Sequence, residues 1–369
     1  MRVLHLIDTD QGRTCPTTLA MAGDLVRGAP FVAQEVLLCG GYRLERAARL
    51  AGLDAFERVG VPFGQPALGM PAVSRRIEDL ESVGRFDMIH CWSFSALRYA
   101  DLAQKKTPKV LMLMYPPRKR SEVQRLKRRD PAAFTVLTTN AYAYERLLAG
   151  GVSPKVVRFC FPSVDRAWVD ESQRAVIREQ WPIDPERTRV VALLSDPPAE
   201  ADAYDAIMAV GLCCEALGAD PKRHSDLRVL IHPLQHHRHR AQHLAEKIGS
   251  PGRLIQDARI ATPWQVMPGC DAALALGPSG GGVSLAWAMA AGLPIVGEAC
   301  RPISDRAADG ETALLVEPGQ HKLMAERLQR CVTEKRTPQT LVDRARVRAN
   351  GVFTPEAFCN RLIEVYHRG

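Results

Sequence analysis

A glycine-rich turn is the first feature of this sequence with an evident chemical use. In the stretch GPSGGGVSLAWAMAAGLP, residues 277–294, three consecutive glycines (Gly280, Gly281 and Gly282) precede a helical pattern that ends at Gly292. Glycines let a ligand approach the backbone, and the first amides of a helix attract an anion. The pattern predicts a phosphate site at this turn, with tight packing of a strand against a helix as the alternative.

A second group of candidate residues follows the first apolar run, RVLHLID. Asp8 ends this run, and Gly12 and Arg13 lie in the turn behind it. The carboxylate could act as a base or bind an acceptor, and the arginine could contact a phosphate. A turn carboxylate and a surface arginine are the alternatives. Arg301, after the run LPIVGEA, is a further candidate cation, as are Arg118 and Arg120.

Short apolar runs that alternate with helical patterns are expected to position these residues. Eleven runs are typical of buried strands: RVLHLID, AQEVLLCG, FDMIHCW, KVLMLMY, FTVLTT, TRVVALLSD, LRVLIHP, GRLIQD, DAALALG, LPIVGEA and TALLVEP. They predict an α/β fold of two tandem Rossmann-like doubly wound domains with an interdomain cleft, because ligands bind beyond the carboxyl ends of such strands. We expect an N-terminal domain over residues 1–170, a C-terminal domain over 171–352, and a helix over 353–369 that packs back on the first.

The composition indicates a soluble, cytoplasmic protein. Of the 369 residues 46% are hydrophobic and 24% charged, and no apolar run reaches the eighteen or so residues of a membrane span. Ten cysteines are scattered without a Cys-x-x-Cys pair, which predicts reduced core thiols.

A basic segment, RKRSEVQRLKRRD, contributes much of the net charge of +8. Arg118–Arg129 is either a solvated helix face or a patch that binds phosphates or an anionic membrane surface, which would make the protein peripheral to a membrane. Nucleic acid is not expected as a partner, since the segment has no interleaved aromatic residues.

Five histidines lie in the segment HPLQHHRHRAQH, residues 232–243. His236, His239 and His243 share a helical face, but no carboxylate or cysteine stands at ligand spacing and the interleaved arginines oppose a cation. The segment therefore predicts a polar helix face and no metal site.

The C-terminal half resembles a known family. LAWAMAAGLPIVGEACRPISDRAADGETALLVEPGQHKLMAERL, residues 285–328, is similar to the helix, strand and hairpin signature of the retaining family-4 (group 1) glycosyltransferases, which have the GT-B fold. PSVDRAW and MIHCWSF stand at two further motifs of that family. The resemblance covers nearly the whole chain and is strongest from about residue 226 onward.

The departures from the family pattern concern its donor site. The two family carboxylates that bind the sugar and the ribose fall at Ser279 and Trp287, and an indole cannot accept a hydrogen bond from a ribose hydroxyl. The segment that carries the family's Arg and Lys reads VVALLSDPPAEADAYD, with acids and no cation. The family's histidine falls at Tyr115.

The resemblance thus implies a donor site with a degenerate motif and leaves the catalytic residues unassigned. Its donor side would contain Ser279, Gly280, Gly281, Gly282, Val283, Trp287 and Arg301. Its acceptor side would contain Asp8, Gly12, Arg13 and Tyr115.

On this resemblance the expected function is transfer of a sugar from a nucleotide-diphosphate donor to an unidentified acceptor, with retention and without a metal or cofactor. The departing diphosphate can itself supply the base, so no dedicated nucleophile is required. One alternative is a non-catalytic GT-B binding or scaffold protein that has lost the donor-site carboxylates and cations. Another is a GT-B epimerase or phosphorylase, although the chain lacks the cofactor lysine and the acids that these enzymes use.

Overall fold

The computed structural model describes residues 1–8, 16–61, 66–103, 106–115, 117, 119–196, 203–218, 226–233, 238–247, 252–334 and 336–368. The chain divides into two compact units. Unit 1 comprises Met1–Ser163 with Thr354–Gly369, and unit 2 comprises Val164–Phe353. The expected boundary at residue 170 falls inside unit 2. The first and last residues of unit 2 are bonded to each other, since the Val164 amide donates to the Phe353 carbonyl at 2.7 Å.

Unit 1 contains a parallel sheet of seven strands in the order β3-β2-β1-β4-β5-β6-β7. The strands are β1 (Arg2–Asp8), β2 (Ala33–Cys39), β3 (Glu57–Val59), β4 (Met88–Cys91), β5 (Lys109–Leu113), β6 (Phe134–Thr138) and β7 (Val157–Phe159). The strand order reverses beside β1, whose last residue is Asp8. This is the point of a doubly wound sheet where ligands enter.

Six helices of unit 1 connect these strands. They are α1 (Pro16–Gly28), α2 (Tyr42–Leu50), α3 (Pro66–Val83), α4 (Phe94–Ala103), α5 (Arg120–Lys127) and α6 (Ala141–Ala149). Asn140 caps α6 by accepting from the Tyr142 amide at 2.8 Å.

The first α-helix of unit 2 is α7 (Arg174–Glu179), after two short 3-10 helices, and the unit contains a parallel sheet of six strands in the order β10-β9-β8-β11-β12-β13. The strands are β8 (Thr188–Leu194), β9 (Asp226–Ile231), β10 (Leu254–Gln256), β11 (Ala272–Ala275), β12 (Ile295–Glu298) and β13 (Leu314–Val316). The helices are α8 (Ala203–Gly218), α9 (Arg238–Lys247), α10 (Gly277–Gly280), α11 (Val283–Ala291), α12 (Arg301–Ser304), α13 (His321–Thr333) and α14 (Arg336–Val352).

The last helix, α15 (Pro355–Arg368), belongs to unit 1. The Thr354 hydroxyl accepts from the Ala357 amide at 3.2 Å and so caps the helix. The Cys359 thiol donates to the Asp24 carbonyl of α1 at 3.5 Å, and the Tyr366 hydroxyl lies 2.6 Å from His90 Nδ1. The helix therefore returns to the domain in which the chain begins.

The predicted fold class is confirmed, since both units are parallel sheets with flanking helices. The central strands are buried as apolar runs, as in Leu4, Leu6 and Ile7 of β1 and Val190–Leu194 of β8. The cysteines of the described residues are free thiols. Among the described helices, none combines the length and the apolar character that crossing a membrane requires.

Candidate functional site

The glycine-rich turn lies at the carboxyl end of β11 in unit 2. Gly277 has φ +58°, a left-handed conformation that glycine adopts readily, and it opens the short helix α10. Gly282 has an extended backbone and stands directly before α11, so the first amides of α11 point toward the turn. Gly292, with φ +71°, ends α11 before β12.

The glycines of the turn are packed against other parts of unit 2. A Cβ added to Gly280 would lie 2.8 Å from the Ala275 carbonyl carbon. A Cβ on Gly281 would overlap the Pro302 backbone, and one on Gly282 would overlap the Asp196 side chain. Contacts within the protein are therefore sufficient to require glycine at these three positions.

The Asp196 carboxylate occupies the start of α11. Asp196 follows β8, is only 6% exposed, and its Oδ2 accepts from the Ser284 amide at 2.7 Å and from the Ser284 hydroxyl at 2.8 Å. Its own amide donates to the Ser279 carbonyl at 3.0 Å. Burial raises the pKa of the Asp196 carboxyl, while the bonds from Ser284 and the charge of Arg306 oppose that shift. An internal anion is thus bound where a helix start attracts one.

Arg306 supports the same turn from its other side. The side chain is 2% exposed, and its Nη1 donates to the carbonyls of Gly281 and Gly282, the latter at 2.7 Å. Burial lowers the pKa of Arg306 to about 10, against the charges of Asp196 and Asp305, so the guanidinium stays protonated at neutral pH. Asp196 therefore binds the Ser284 amide behind the turn, and Arg306 binds the Gly281 and Gly282 carbonyls of the same turn.

Trp287 is part of the core of unit 2. It is 1% exposed, and its ring lies 4.9 Å from that of Trp264 between centroids. Its Nε1 has no hydrogen-bond partner among the described residues. In this conformation the indole has no face open to a ligand. Its neighbour in the predicted donor site, Val283, is buried as well.

Three further residues lie beside the turn; Ser279 and Arg301 are accessible to solvent, and Glu298 is buried. Ser279 is half-buried, and Arg301 is 64% exposed at the start of α12, 3.9 Å from Asp305. Glu298, at the end of β12, accepts from the Gly277 amide through Oε2 at 2.7 Å. The sequence interpretation missed Glu298. Its position after the apolar run LPIV, at a carboxyl end of the sheet, was the available signal.

The candidates of unit 1 lie at the carboxyl ends of its strands. Asp8 ends β1, is 9% exposed, and accepts through Oδ1 from the Ser93 hydroxyl, which also caps α4 by accepting from the Ala96 amide at 2.9 Å. Tyr115 follows β5 and is half-buried. Gly12, Arg13 and Arg118 are outside the described residues. Sequence reasoning missed Ser93.

The histidine segment is described only in part. His236 and His237 are outside the described residues, while His239 and His243 lie on α9, with His243 Nδ1 3.9 Å from a Glu246 carboxylate oxygen. Within the part of the chain that is described, no group of three or more His, Cys, Asp or Glu side chains could hold a metal ion.

Known proteins share both the sequence pattern of unit 2 and the fold. The family model for glycosyl transferases group 1 matches residues 211–348, which include the glycine-rich turn. No protein of curated function matches the sequence.

Solved structures match over the full length of the chain. HepE from Anabaena, in complex with UDP and glucose, has a TM-score of 0.76 at 15% identity, covering 100% of this chain and 99% of that one. A glycosyltransferase from Rickettsia africae ESF-5 has a TM-score of 0.74 at 11% identity, covering 99% and 97%. Sucrose-phosphate synthase from Thermosynechococcus elongatus has 0.71 at 14% identity, covering 100% and 99%. At such identities the similarity is one of fold.

Proposed function

Because residues 211–348 match the family model for group 1 glycosyl transferases and the chain has the fold of solved GT-B structures, we propose that this protein transfers a sugar from a nucleotide-diphosphate donor to an acceptor, with retention. Structures of the same fold hold UDP and glucose, or UDP-glucose, which supports a nucleotide-sugar donor. The acceptor is not identified by the sequence or the fold. The proposed reaction uses no metal or cofactor.

The observation that carries this proposal is the position of the glycine-rich turn. It joins β11 to α11 at a carboxyl end of the sheet, within the residues that match the family. The Ser279 hydroxyl and the Glu298 carboxylate can bond to sugar or ribose hydroxyls, and Arg301 can contact a phosphate.

The proposed reaction requires that the protein position the donor and the acceptor and stabilise the negative charge that develops on the leaving diphosphate. The bond from the anomeric carbon to the diphosphate breaks with its electron pair on the leaving phosphate oxygen. The acceptor hydroxyl forms the new bond on the same face, and its proton passes to the departing diphosphate. Side chains that hold the donor and stabilise the leaving charge therefore suffice for catalysis.

A second candidate function is binding without catalysis. It is favoured by the Asp196 carboxylate at the start of α11 and by the burial of Trp287. In this form the turn offers a diphosphate fewer open amides than a helix start normally has. Such a protein would keep the fold as a scaffold and bind its partner elsewhere.

Calorimetric titration with nucleoside diphosphates and nucleotide sugars separates the two functions. A transferase should bind at least one donor at micromolar concentration, with unchanged affinity after EDTA treatment. Arg301→Ala should weaken binding, while Arg187→Ala, at an 84% exposed side chain before β8, should not. Absence of binding and of sugar release across the panel would reject the transferase. Substitution of Gly281 is unsuitable here, since any side chain would overlap Pro302.

We also propose that the acceptor lies at an anionic membrane surface. Helix α5 and the residues behind it present Arg125 and Arg128 on an exposed face, and a cavity of about 560 Å³ is lined by Ser121, Gln124, Arg125, Arg128 and Arg129. Arg129 is already paired with Asp101. Of the arginines that line this cavity, Arg125 and Arg128 therefore remain available to lipid phosphates.

A further inference from the structure

We propose that Asp196 is an internal competitor for the donor diphosphate, so that a donor engages the start of α11 only by displacing this carboxylate from Ser284. The inference rests on the proposed function, because it assigns a regulator to the same donor site. It predicts that the site has low affinity for nucleotides while Asp196 is bonded to Ser284, and that tight binding requires Asp196, after β8, to move away.

The contacts of Asp196 are those that a phosphate oxygen would make. Oδ2 accepts from the Ser284 amide at 2.7 Å and from the Ser284 hydroxyl at 2.8 Å. A backbone amide and a hydroxyl at a helix start are typical phosphate ligands. Two anions cannot share these donors, since each donor has one proton and the charges repel.

The surroundings show that this carboxylate is built into unit 2. Gly282 leaves the space that the Asp196 side chain fills, because a Cβ there would overlap it. Arg306, buried behind the turn, supplies the opposite charge and holds the Gly281 and Gly282 carbonyls. The Asp196 amide is bonded to the Ser279 carbonyl at 3.0 Å, which ties the end of β8 to α10.

This arrangement is more specific than the presence of acids near the turn. A carboxylate that only lined the pocket would repel a diphosphate at a distance and would be screened by salt. Asp196 is 6% exposed and directly bonded to the helix start. Displacing it requires breaking two charge-assisted hydrogen bonds, so its effect should persist at high salt.

The test compares the full chain carrying Asp196→Asn or Asp196→Ala with the wild type. Pyrophosphate, UDP, GDP and ADP are titrated by calorimetry at 0.1 M and 0.5 M salt. The matched control is Asp343→Asn, which makes the same charge change at an exposed carboxylate of α14. Melting temperatures of all variants establish that they are folded.

Removal of the carboxylate should tighten binding of at least one of these ligands about tenfold or more, at both salt concentrations, while Asp343→Asn matches the wild type. If the wild type binds a nucleotide and both Asp196 variants bind no more tightly, the competitor is rejected and the transferase stands. If only the Asp196 variants bind, the competitor stands and the wild-type donor site is closed. If no protein binds, both proposals fail.

A second measurement covers the case in which both Asp196 variants fold poorly. The Ser284 amide resonance is followed by NMR in the wild type as pyrophosphate is added. Displacement predicts a large shift at Ser284 together with shifts at Asp196 and Ser279. Saturable pyrophosphate binding without a shift at Ser284 would overturn the inference.

Discussion

The rings of Trp264 and Trp287 lie 4.9 Å apart between centroids and are inclined by 46°. Trp264 also packs edge-on against Trp168, with 5.0 Å between centroids. The three indoles form a cluster, of which Trp287 on α11 is the most deeply buried member. Trp287, which was expected in a donor site, is therefore part of the core that supports α11.

Truncation of Trp287 should destabilise unit 2. Trp287→Ala is expected to lower the free energy of unfolding by about 3–5 kcal/mol in urea denaturation, because it leaves a large cavity. Trp287→Phe should lower the free energy of unfolding by less, since Nε1 has no hydrogen bond to lose among the described residues. Val347→Ala, at a 74% exposed side chain, should change stability by less than about 0.5 kcal/mol. Unchanged stability of Trp287→Ala with lost donor binding would instead make the indole a ligand contact.

Gly282→Ala should act through Asp196. Without any ligand the variant is expected to lose about 1–3 kcal/mol of stability, because its Cβ overlaps the carboxylate. Combined with Asp196→Gly the loss should be less than additive in a double-mutant cycle. Gly351→Ala on α14 is the control, since an added Cβ meets nothing within 4 Å there. Additive effects would show that the two residues do not share this space.

Unit 1 should lose stability as the pH falls from 6.5 toward 4. His5 and His90 are both fully buried; His5 Nε2 lies 3.0 Å from Gln34 and His90 Nδ1 lies 2.6 Å from the Tyr366 hydroxyl. Burial lowers the pKa of His5 to about 4 and that of His90 well below 6.5, to which the charge of His5 contributes. The unfolded chain then binds protons that the native state does not, so stability present above pH 6.5 is lost on acidification.

Hydrogen exchange of the β1 and β4 amides at pH 7, 6 and 5 measures this effect within unit 1. The free energy of opening should fall by on the order of 1–3 kcal/mol between pH 7 and pH 5, because each unit of pKa difference between the folded and unfolded states corresponds to about 1.4 kcal/mol. His5→Gln should flatten the pH dependence, whereas His243→Gln, at a 66% exposed side chain, should not. An equal slope in wild type and His5→Gln would contradict the assignment to His5.

The exposed arginines of α5 and its C-terminal cap should carry any membrane binding. The double variant Arg125→Glu/Arg128→Glu is expected to reduce sedimentation with vesicles containing one-third anionic lipid by about tenfold or more, because each arginine near an anionic surface contributes about 1 kcal/mol to the binding free energy. Binding should also fall at 0.5 M salt. Reversal of the exposed Arg187 and Arg344 of unit 2 makes the same charge change and should have little effect. Equal binding of the two double variants would reject the α5 surface.

The order of apolar runs was enough to predict the fold. Each run read as a strand, such as RVLHLID for β1 and DAALALG for β11, overlaps the observed strand, because continuous burial leaves a signal that needs no tertiary information. The strands β3 and β7 were not predicted. Each has three residues at a sheet edge, and β3 reads Glu-Arg-Val, so neither has the apolar length of a central strand.

The sequence by itself determined two doubly wound sheets and the glycine-rich turn with the helix behind it. Only the tertiary structure decided what occupies that turn. Asp196 and Ser284 are separated by 88 positions and meet because β8 pairs with β11. Local sequence can predict a helix start that attracts an anion. Which anion lies there depends on Asp196, which follows β8, and on Arg306, which follows α12, and these side chains converge only when the sheet has formed.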